Sequence, residues 1–177
     1  MSDPLGDFAA AIALDPVADE APREGEPGGP SCHYCQVSDT EALWANPHWR
    51  ALPRHWSPLP GGVLLVSTAH VDTLAQLPPE RQAEFGPIAA AIETAIMALG
   101  AAARVHLYRW GDGRAHFHVH FIGRPAGRPQ FAGRNLPFFE DRLPHPDDDE
   151  LAGTATALAH HLAAATCPTS PADEKAP

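Results

Sequence analysis

Ala115-His116-Phe117-His118-Val119-His120-Phe121-Ile122-Gly123 is the stretch in which the chain shows its clearest pattern. Side chains of a β-strand point to alternate faces, so a strand here would present three imidazoles on one face and apolar side chains on the other. The chain has 11 histidines in 177 residues, so chance hardly produces three in strict alternation. Imidazole can bind metals, change charge near neutral pH and act as a nucleophile. The stretch therefore predicts a half-buried strand that carries a functional site.

Composition predicts one folded domain between two tails. Residues 1–30 are acidic and rich in Pro, Gly and Ala, a composition that buries too little to offset chain entropy, and residues 166–177 are similar. We therefore expect mobile tails and a domain over residues 31–165. The sequence has no run of ~18 apolar residues and no basic signal-peptide start, so we expect a cytoplasmic protein without a membrane segment.

Short apolar runs broken by Pro and Gly predict the strands of a sheet. They are Ala42–Trp44, His48–Trp56, Val63–Ser67 and Arg104–Arg109, followed by the histidine strand. Val63 to Val66 is apolar on both faces, so this strand should be central and covered.

Two helices are expected. The first begins at Pro78, allows a kink or restart at Gly86-Pro87 and ends near Gly100, with Ile88, Ile92 and Ile96 facing the core. The second, residues 147–164, begins with four acids and ends near His160-His161, so we interpret these two histidines as partners of the helix dipole. Residues 124–146 between them form a loop too long for a simple connection, and therefore a candidate functional loop.

The charge distribution points to a small anionic ligand rather than to nucleic acid. A net charge of -10 argues against a general nucleic-acid surface, which needs clustered Lys and Arg. The segment around the histidines is nevertheless basic, although solvated loop arginines would give the same count. Its charged residues are Arg104, Arg109, Arg114, Arg124, Arg128, Arg134 and Arg142 against Asp112, Glu140 and Asp141.

Cys32-His33-Tyr34-Cys35 is a second constellation, whereas Cys167 stands alone. Zinc takes four thiolate or imidazole ligands, so the cysteine pair needs two more. The available candidates are His48, His55, His70 and His116. A redox pair usually follows a strand, whereas this one follows a Pro/Gly-rich segment, so we favour zinc over redox chemistry or uncommitted thiols.

The three histidines allow two kinds of chemistry. Neighbouring imidazoles repel one another when charged, which helps to keep one neutral and nucleophilic. Such an imidazole can attack phosphorus and give a covalent phosphohistidine-type intermediate. Metal binding by all three, as in a zinc hydrolase, is the competing hypothesis, and spacing alone does not separate the two.

Residues 116–122 resemble the signature of the histidine triad superfamily, in which histidines alternate with hydrophobic residues. Further features occur in the order found in this family: the cysteine pair, the segment Pro60 to His70 with its apolar strand, and Val71-Asp72-Thr73-Leu74 before the helix. The resemblance covers residues 31–125 and extends to the galactose-1-phosphate uridylyltransferases.

The resemblance implies an α+β domain with an antiparallel sheet of about five strands, a packed helix and a C-terminal helix, usually as a homodimer. It implies that His118 attacks the α-phosphorus of a nucleoside phosphoramidate or nucleotide ester, and that the nucleotidyl-histidine is then hydrolysed or transferred. His120 would contact the phosphate and aid the leaving group. Apart from the resemblance, Asp112 near the phosphate would oppose its charge, so we hypothesise that Arg114, Arg124 or Arg128 compensates as a further phosphate contact. In zinc-binding relatives the metal is structural, and the matching residues here are Cys32, Cys35, His70 and His116.

One residue and one three-residue segment differ from the family pattern. Gly62 stands where many relatives carry a fourth histidine that supports the nucleophile, and Gly111-Asp112-Gly113 replaces polar residues that touch the phosphate. We therefore keep a second hypothesis, a zinc-stabilised module that binds nucleotide or protein through residues 124–146 with little or no catalysis.

Overall fold

The computed structural model describes residues 14–59, 61–131, 133–140 and 142–166. These residues form an α+β fold in which helices pack on a five-stranded antiparallel sheet, as the sequence predicts. The strands are β1 (Trp44–Ala45), β2 (Trp49–Pro53), β3 (Val63–Ser67), β4 (Ala102–Tyr108) and β5 (His118–Pro125), in the spatial order β1-β2-β3-β5-β4. The helices are α1 (Pro79–Ala98), α2 (Leu136–Glu140) and the C-terminal helix α3 (Asp148–Thr166).

One face of the sheet packs against α1 and α3. Val63 and Leu65 of the fully buried central strand β3 point to this face, together with Trp49 and Phe121. Ile88, Ile92 and Ile96 lie one turn apart on α1 and pack against them, as their spacing predicts. The helix runs through Gly86-Pro87 without restarting. This layer is the main hydrophobic core.

The other face carries the histidines. His118 is opposite Val66 and His120 is opposite Leu64 in the β3–β5 pairing. The N-terminal cluster of Cys32, Tyr34 and Val37 covers Leu64 and Val66. At the other end, Leu59 and Leu136 pack on Ile122. The second face is therefore covered at both ends, with the histidines between.

The histidine strand begins later than the pattern predicts. The alternation itself is present, because Ala115, Phe117, Val119 and Phe121 are all buried. Regular pairing with β3 nevertheless begins at His118 and not at Ala115. The backbone N–H of Phe117 donates instead to the carbonyl of Val71, and that of Ala115 donates to the carbonyl of Glu24. Residues 115–117 thus contact two other segments, although the carbonyl of Phe117 still accepts from the backbone N–H of Ser67 of β3 at 3.2 Å.

Three further expectations differ from the structure. Helix α3 continues to Thr166, so His160 and His161 are not at its C-terminal end and the dipole interpretation is wrong. Residues 124–146 contain the short helix α2 rather than loop alone. Part of the expected N-terminal tail contacts the domain, since Glu24 forms a β-bridge with Arg114. Residues 1–13 of the N-terminal tail and residues 167–177 of the C-terminal tail, which include Cys167, lie outside the described residues.

None of the helices in the described part of the chain is long and apolar enough to cross a membrane.

Candidate functional site

Four side chains from three segments meet at one end of the histidine face. The donor atoms of Cys32, Cys35, His70 and His116 all lie within 4.8 Å of one another. His116 Nδ1 is 3.2 Å from Cys32 Sγ and 3.6 Å from Cys35 Sγ, and His70 Nδ1 is 3.2 Å from Cys35 Sγ. A tetrahedral zinc with ordinary bond lengths separates such donors by about 3.3–3.8 Å. The four side chains therefore form a possible metal site.

Backbone carbonyls orient both imidazoles of this cluster. His116 Nε2 donates to the carbonyl oxygen of Ser67 at 2.8 Å, and His70 Nε2 donates to that of Gly25 at 3.1 Å. A carbonyl only accepts, so each Nε2 carries the hydrogen and each Nδ1 presents a lone pair to the sulfur atoms. Metal-binding histidines are usually held in this way. The cluster fits a divalent metal in ligand type, spacing and tautomer.

The Cys35 thiol resists ionisation without a cation. Burial and the neighbouring Cys32 raise the pKa of Cys35 to about 11. Metal ligands must be thiolates, so a bound cation would displace protons from this pair.

Gly25 allows the N-terminal segment to reach His70. Its φ is 90°, and an added Cβ would lie 2.7 Å from the His70 Cε1 atom. A side chain is therefore excluded on both conformational and steric grounds. The Gly/Pro-rich composition of this segment predicts a mobile tail, but in the structure it allows a close contact.

A hydrogen bond from His118, the first residue of β5, to the residue two positions before it fixes the tautomer of His118. Its Nδ1 donates to the backbone carbonyl of His116 at 2.6 Å. The hydrogen is therefore on Nδ1, and the Nε2 lone pair is free to attack an electrophile. Burial lowers the pKa of His118 below its ordinary value, which favours the neutral imidazole.

The N-terminal segment covers the imidazole of His118, which is 7% exposed. The ring centroids of Tyr34 and His118 are 5.2 Å apart. Arg114 Nη1 donates to the Tyr34 hydroxyl at 2.9 Å, and Arg114 Nε donates to Glu24 at 2.6 Å. The predicted phosphate contact Arg114 is thus beside His118, but an acid already pairs with it.

Arg109 is a second cation near His118, and the sequence analysis did not select it. Its charge, like that of Arg114, lowers the pKa of His118, whereas the carboxylate of Asp72 raises it. Arg109 Nη2 donates to the backbone carbonyl of Asp72. The Asp72 carboxylate is bound by Arg23 at 2.9 Å. Two cations and one anion therefore lie around the imidazole of His118.

The third histidine, His120, has aromatic neighbours from β4 and the turn after it. The Trp110 ring lies 4.9 Å from that of His120 and stacks on Tyr108 with an interplanar angle of 8°. His120 Nδ1 is buried and has no hydrogen-bond partner among the described atoms. Burial, followed by the charge of Arg54, lowers the pKa of His120 to about 3. His120 is therefore a neutral imidazole over the physiological range.

Arg54 occupies the space beside Gly62, where the family pattern has a fourth histidine. An added Cβ on Gly62 would lie 3.1 Å from Arg54 Cβ and 3.3 Å from Arg54 Cδ. The Arg54 guanidinium binds both carboxylate oxygens of Glu140, at 2.7 and 2.8 Å, and Ser57 also donates to this carboxylate. A buried ion pair between β2 and α2 therefore replaces the expected imidazole.

Arg124 lies away from the other predicted site residues. It is four residues beyond His120, about 13 Å along the strand. Its Nη1 donates to the carbonyl of Arg128. The structure thus brings Arg109 and Arg114 to His118, and places Arg124 at the opposite end of β5.

Comparison with known proteins shows the fold. No family model and no curated protein matches the sequence. Among solved structures, the chain is similar to a hypothetical histidine triad nucleotide-binding protein from Sulfolobus tokodaii (15% identity, 75% of this chain and 93% of the other, TM-score 0.59). It is also similar to a zinc-bound histidine triad family protein from Mycobacterium smegmatis (19% identity, 76% of this chain and 97% of the other, TM-score 0.55). A uridylyltransferase mutant matches at 17% identity over 76% of this chain and 48% of the other chain, with a TM-score of 0.53. The chain therefore has the histidine triad fold, as its sequence predicts.

Two glycine substitutions should change stability in opposite directions. Gly62→Ala forces a methyl group against the base of the Arg54 side chain, so we expect a loss of about 1–3 kcal/mol in the free energy of unfolding. Gly86→Ala adds a methyl group inside α1 with nothing within 4 Å, so we expect a gain of about 0.5–1 kcal/mol. Denaturant unfolding measures both. Equal stability of the two variants would contradict this account of Gly62.

Proposed function

We propose that this chain is a nucleotide-processing enzyme, a hydrolase or nucleotidyltransferase that acts through a covalent nucleotidyl-His118 intermediate. The observation that carries the proposal is the 2.6 Å hydrogen bond from His118 Nδ1 to the His116 carbonyl, which leaves the Nε2 lone pair for attack. The histidine triad fold and the similarity to a nucleotide-binding protein and to uridylyltransferases support the substrate class.

The proposed reaction has two steps. The His118 Nε2 lone pair attacks the α-phosphorus of a nucleoside phosphoramidate or nucleotide ester. The bond to the leaving group breaks with its electron pair on the departing nitrogen or oxygen, which takes up a proton from water to leave as amine or alcohol. Water or a second acceptor then attacks the phosphorus, gives up its proton to solvent and releases His118. His120 donates a hydrogen bond to the phosphoryl oxygens, and Arg109 and Arg114 offset their charge.

We propose that zinc is the metal of the cluster formed by Cys32, Cys35, His70 and His116. Two thiolates and two imidazoles are ligands that zinc prefers, and a structural neighbour is zinc-bound. Bound by four protein ligands, zinc is structural, because no position stays open for water. The metal would hold His116 in place, and the carbonyl of His116 would in turn hold the imidazole of His118. This arrangement favours the nucleophilic hypothesis over a metal bound by all three histidines.

We further propose a homodimer in the cytoplasm. Strand β4 is an edge strand of the sheet. Leu107 on this strand is 45% exposed and Met97 on α1 is 39% exposed. A second copy that pairs along β4 would cover this edge and both side chains.

The alternative is a binding module of the same fold with weak or no catalysis. The observation that favours it is the cover on His118, which is buried under Tyr34 and the Arg114–Glu24 ion pair. A phosphoryl group would have to displace this cover before attack. Formation of a covalent intermediate distinguishes the two functions.

The intermediate can be detected by mass. Wild-type protein mixed with a nucleoside phosphoramidate and quenched in denaturant at neutral pH should gain the mass of one nucleotidyl group. His118→Gln removes the nucleophile and should lower kcat/KM at least about 10³-fold with no adduct. His160→Gln changes an exposed histidine of α3 and is the control. A wild-type protein with neither adduct nor turnover would support the binding module.

The metal proposal predicts a division among site variants. Cys35→Ser should lose zinc and unfold at a lower temperature, and a chelator should lower the Tm of wild type without further effect on this variant. His120→Gln should retain one zinc per chain because this side chain is outside the cluster. Elemental analysis and thermal unfolding give both readouts. Full zinc content in Cys35→Ser would overturn the ligand set.

The dimer proposal is tested at the β4 edge. Leu107→Lys places a charge in the proposed contact, so sedimentation velocity should show a shift towards monomer at equal concentration. Thr40→Lys adds the same charge to an exposed position elsewhere and should leave the dimer intact. A monomeric wild-type protein would refute this assembly.

A further inference from the structure

Residues 22–26, called the strap below, lie beside the segment that leads into the histidine strand. Glu24 at the centre of the strap forms a β-bridge with Arg114. In this bridge the Glu24 N–H donates to the carbonyl of Gly113 at 3.2 Å, and the Ala115 N–H donates to the carbonyl of Glu24 at 2.9 Å. The strap therefore reaches the histidine face through its backbone as well as through its side chains.

The Glu24 carboxylate accepts hydrogen bonds from two different donors. Its Oε1 accepts from the backbone N–H of His33 at 2.6 Å, and its Oε2 accepts from Arg114 Nε at 2.6 Å. Arg114 Nη1 donates to the Tyr34 hydroxyl, and the Tyr34 ring centroid is 5.2 Å from that of His118. Guanidinium and backbone N–H groups are also the donors that phosphoryl oxygens use. The carboxylate thus occupies a position that suits a phosphoryl group.

Polar contacts alone attach the strap to the described part of the domain. None of its residues belongs to a hydrophobic cluster of the described residues, and each is at least partly exposed. The side chains of Arg114 and Glu24 are 40% and 17% exposed, and ion pairs of this kind are weak and screened by salt. Segments with few buried apolar contacts open at a low cost in free energy. The strap can therefore leave the domain without disturbing the core.

The strap carries more negative than positive charge. Its charged residues are Arg23, Glu24 and Glu26. Arg23 binds the carboxylate of Asp72 at 2.9 Å, and Arg109 lies 3.7 Å from the same carboxylate. If the strap leaves, Asp72 keeps Arg109 as a neighbour, whereas Arg114 loses the acid that pairs with it. Displacement of the strap therefore makes Arg114 available to an anion.

We propose that the strap is an autoinhibitory segment, in which the Glu24 carboxylate holds the position at Arg114 that a phosphoryl group of the substrate takes when the strap is displaced. The inference rests on the proposed function, in which Arg114 offsets the charge of the phosphoryl oxygens. Ligand and strap compete for the same donors. The apparent affinity for a phosphoryl ligand is therefore the intrinsic affinity multiplied by the fraction of molecules in which the strap is displaced.

The first test measures the binding of inorganic phosphate at constant ionic strength, by NMR titration of backbone amides. Glu24→Gln keeps the size of the side chain and an acceptor for His33 but removes the charge that holds Arg114. Glu20→Gln makes the same change of charge at an exposed residue two positions before the strap and is the matched control.

We expect phosphate to bind Glu24→Gln at least about 5-fold more tightly than wild type, because the competing carboxylate is gone, and Glu20→Gln within about 2-fold of wild type. A structural role of Glu24 alone would weaken phosphate binding or leave it unchanged. Equal Kd values for wild type and Glu24→Gln overturn the proposal.

The second test asks whether phosphate opens the strap in wild type. The Ala115 N–H donates to the Glu24 carbonyl, so displacement of the strap exposes this amide. We expect its hydrogen exchange to become at least about 3-fold faster at saturating phosphate. Phe121, which pairs with both neighbouring strands, is the reference and should keep its rate. Exchange at Ala115 that phosphate slows or leaves unchanged overturns the proposal, and this result does not depend on whether a variant folds.

The outcomes separate the strap from the proposed function. If phosphate opens the strap but neither wild type nor Glu24→Gln forms a nucleotidyl adduct, the strap controls an anion site and the proposed function is wrong. If wild type forms the adduct while both phosphate tests fail, autoinhibition is wrong and the covalent mechanism stands.

Discussion

The hydrogen bond from His118 Nδ1 to the carbonyl of His116 connects the possible metal site to the imidazole of His118. The His116 carbonyl is available because the pairing of β5 with β4 extends only to Tyr108 and His120, so no β4 residue is opposite His116. Inside a regular ladder a carbonyl is directed at the neighbouring strand rather than at a side chain two residues away. The end of this pairing thus gives His118 its tautomer, and the ring of His116, held by Ser67, keeps the acceptor in place.

The cations around the histidines are paired with acids from distant parts of the chain. Arg114 is paired with Glu24, and Arg54 with Glu140. Asp72 is bound mainly by Arg23 and lies 3.7 Å from Arg109. An anionic ligand therefore meets partly neutralised charge. Displacing a half-exposed pair costs little, whereas displacing the buried pair at Arg54 leaves an uncompensated carboxylate. Arg109 and Arg114 are consequently accessible to a phosphate in a way that Arg54 is not.

Local patterns predicted most of the fold and part of the site. Strand β3, the buried face of α1 and the alternation in 115–121 follow from periodicity in neighbouring residues, and the family resemblance supplied His70 for the metal cluster. The Arg54–Glu140 pair joins residues 86 positions apart, and neither residue stands out in the sequence. Arg124 was selected from a local excess of arginine, which carries no information about distance along the strand. The contact of Glu24 was missed because a Pro/Gly-rich segment resembles a disordered tail in composition.

The two ends of the histidine face are built from different kinds of contact. At the metal end, backbone carbonyls of Ser67, Gly25 and His116 orient the imidazoles of His116, His70 and His118. Except at Gly25, where a side chain is excluded, such a carbonyl does not depend on the residue type. At the other end, position depends on side chains, with Arg54 fitted to Gly62 and bound by Glu140. The first kind of contact tolerates wide sequence change, which agrees with a shared fold at 15–19% identity and no matching family model. The second kind is specific to the residues present. The end where this chain departs from the family pattern therefore depends on this chain's own side chains.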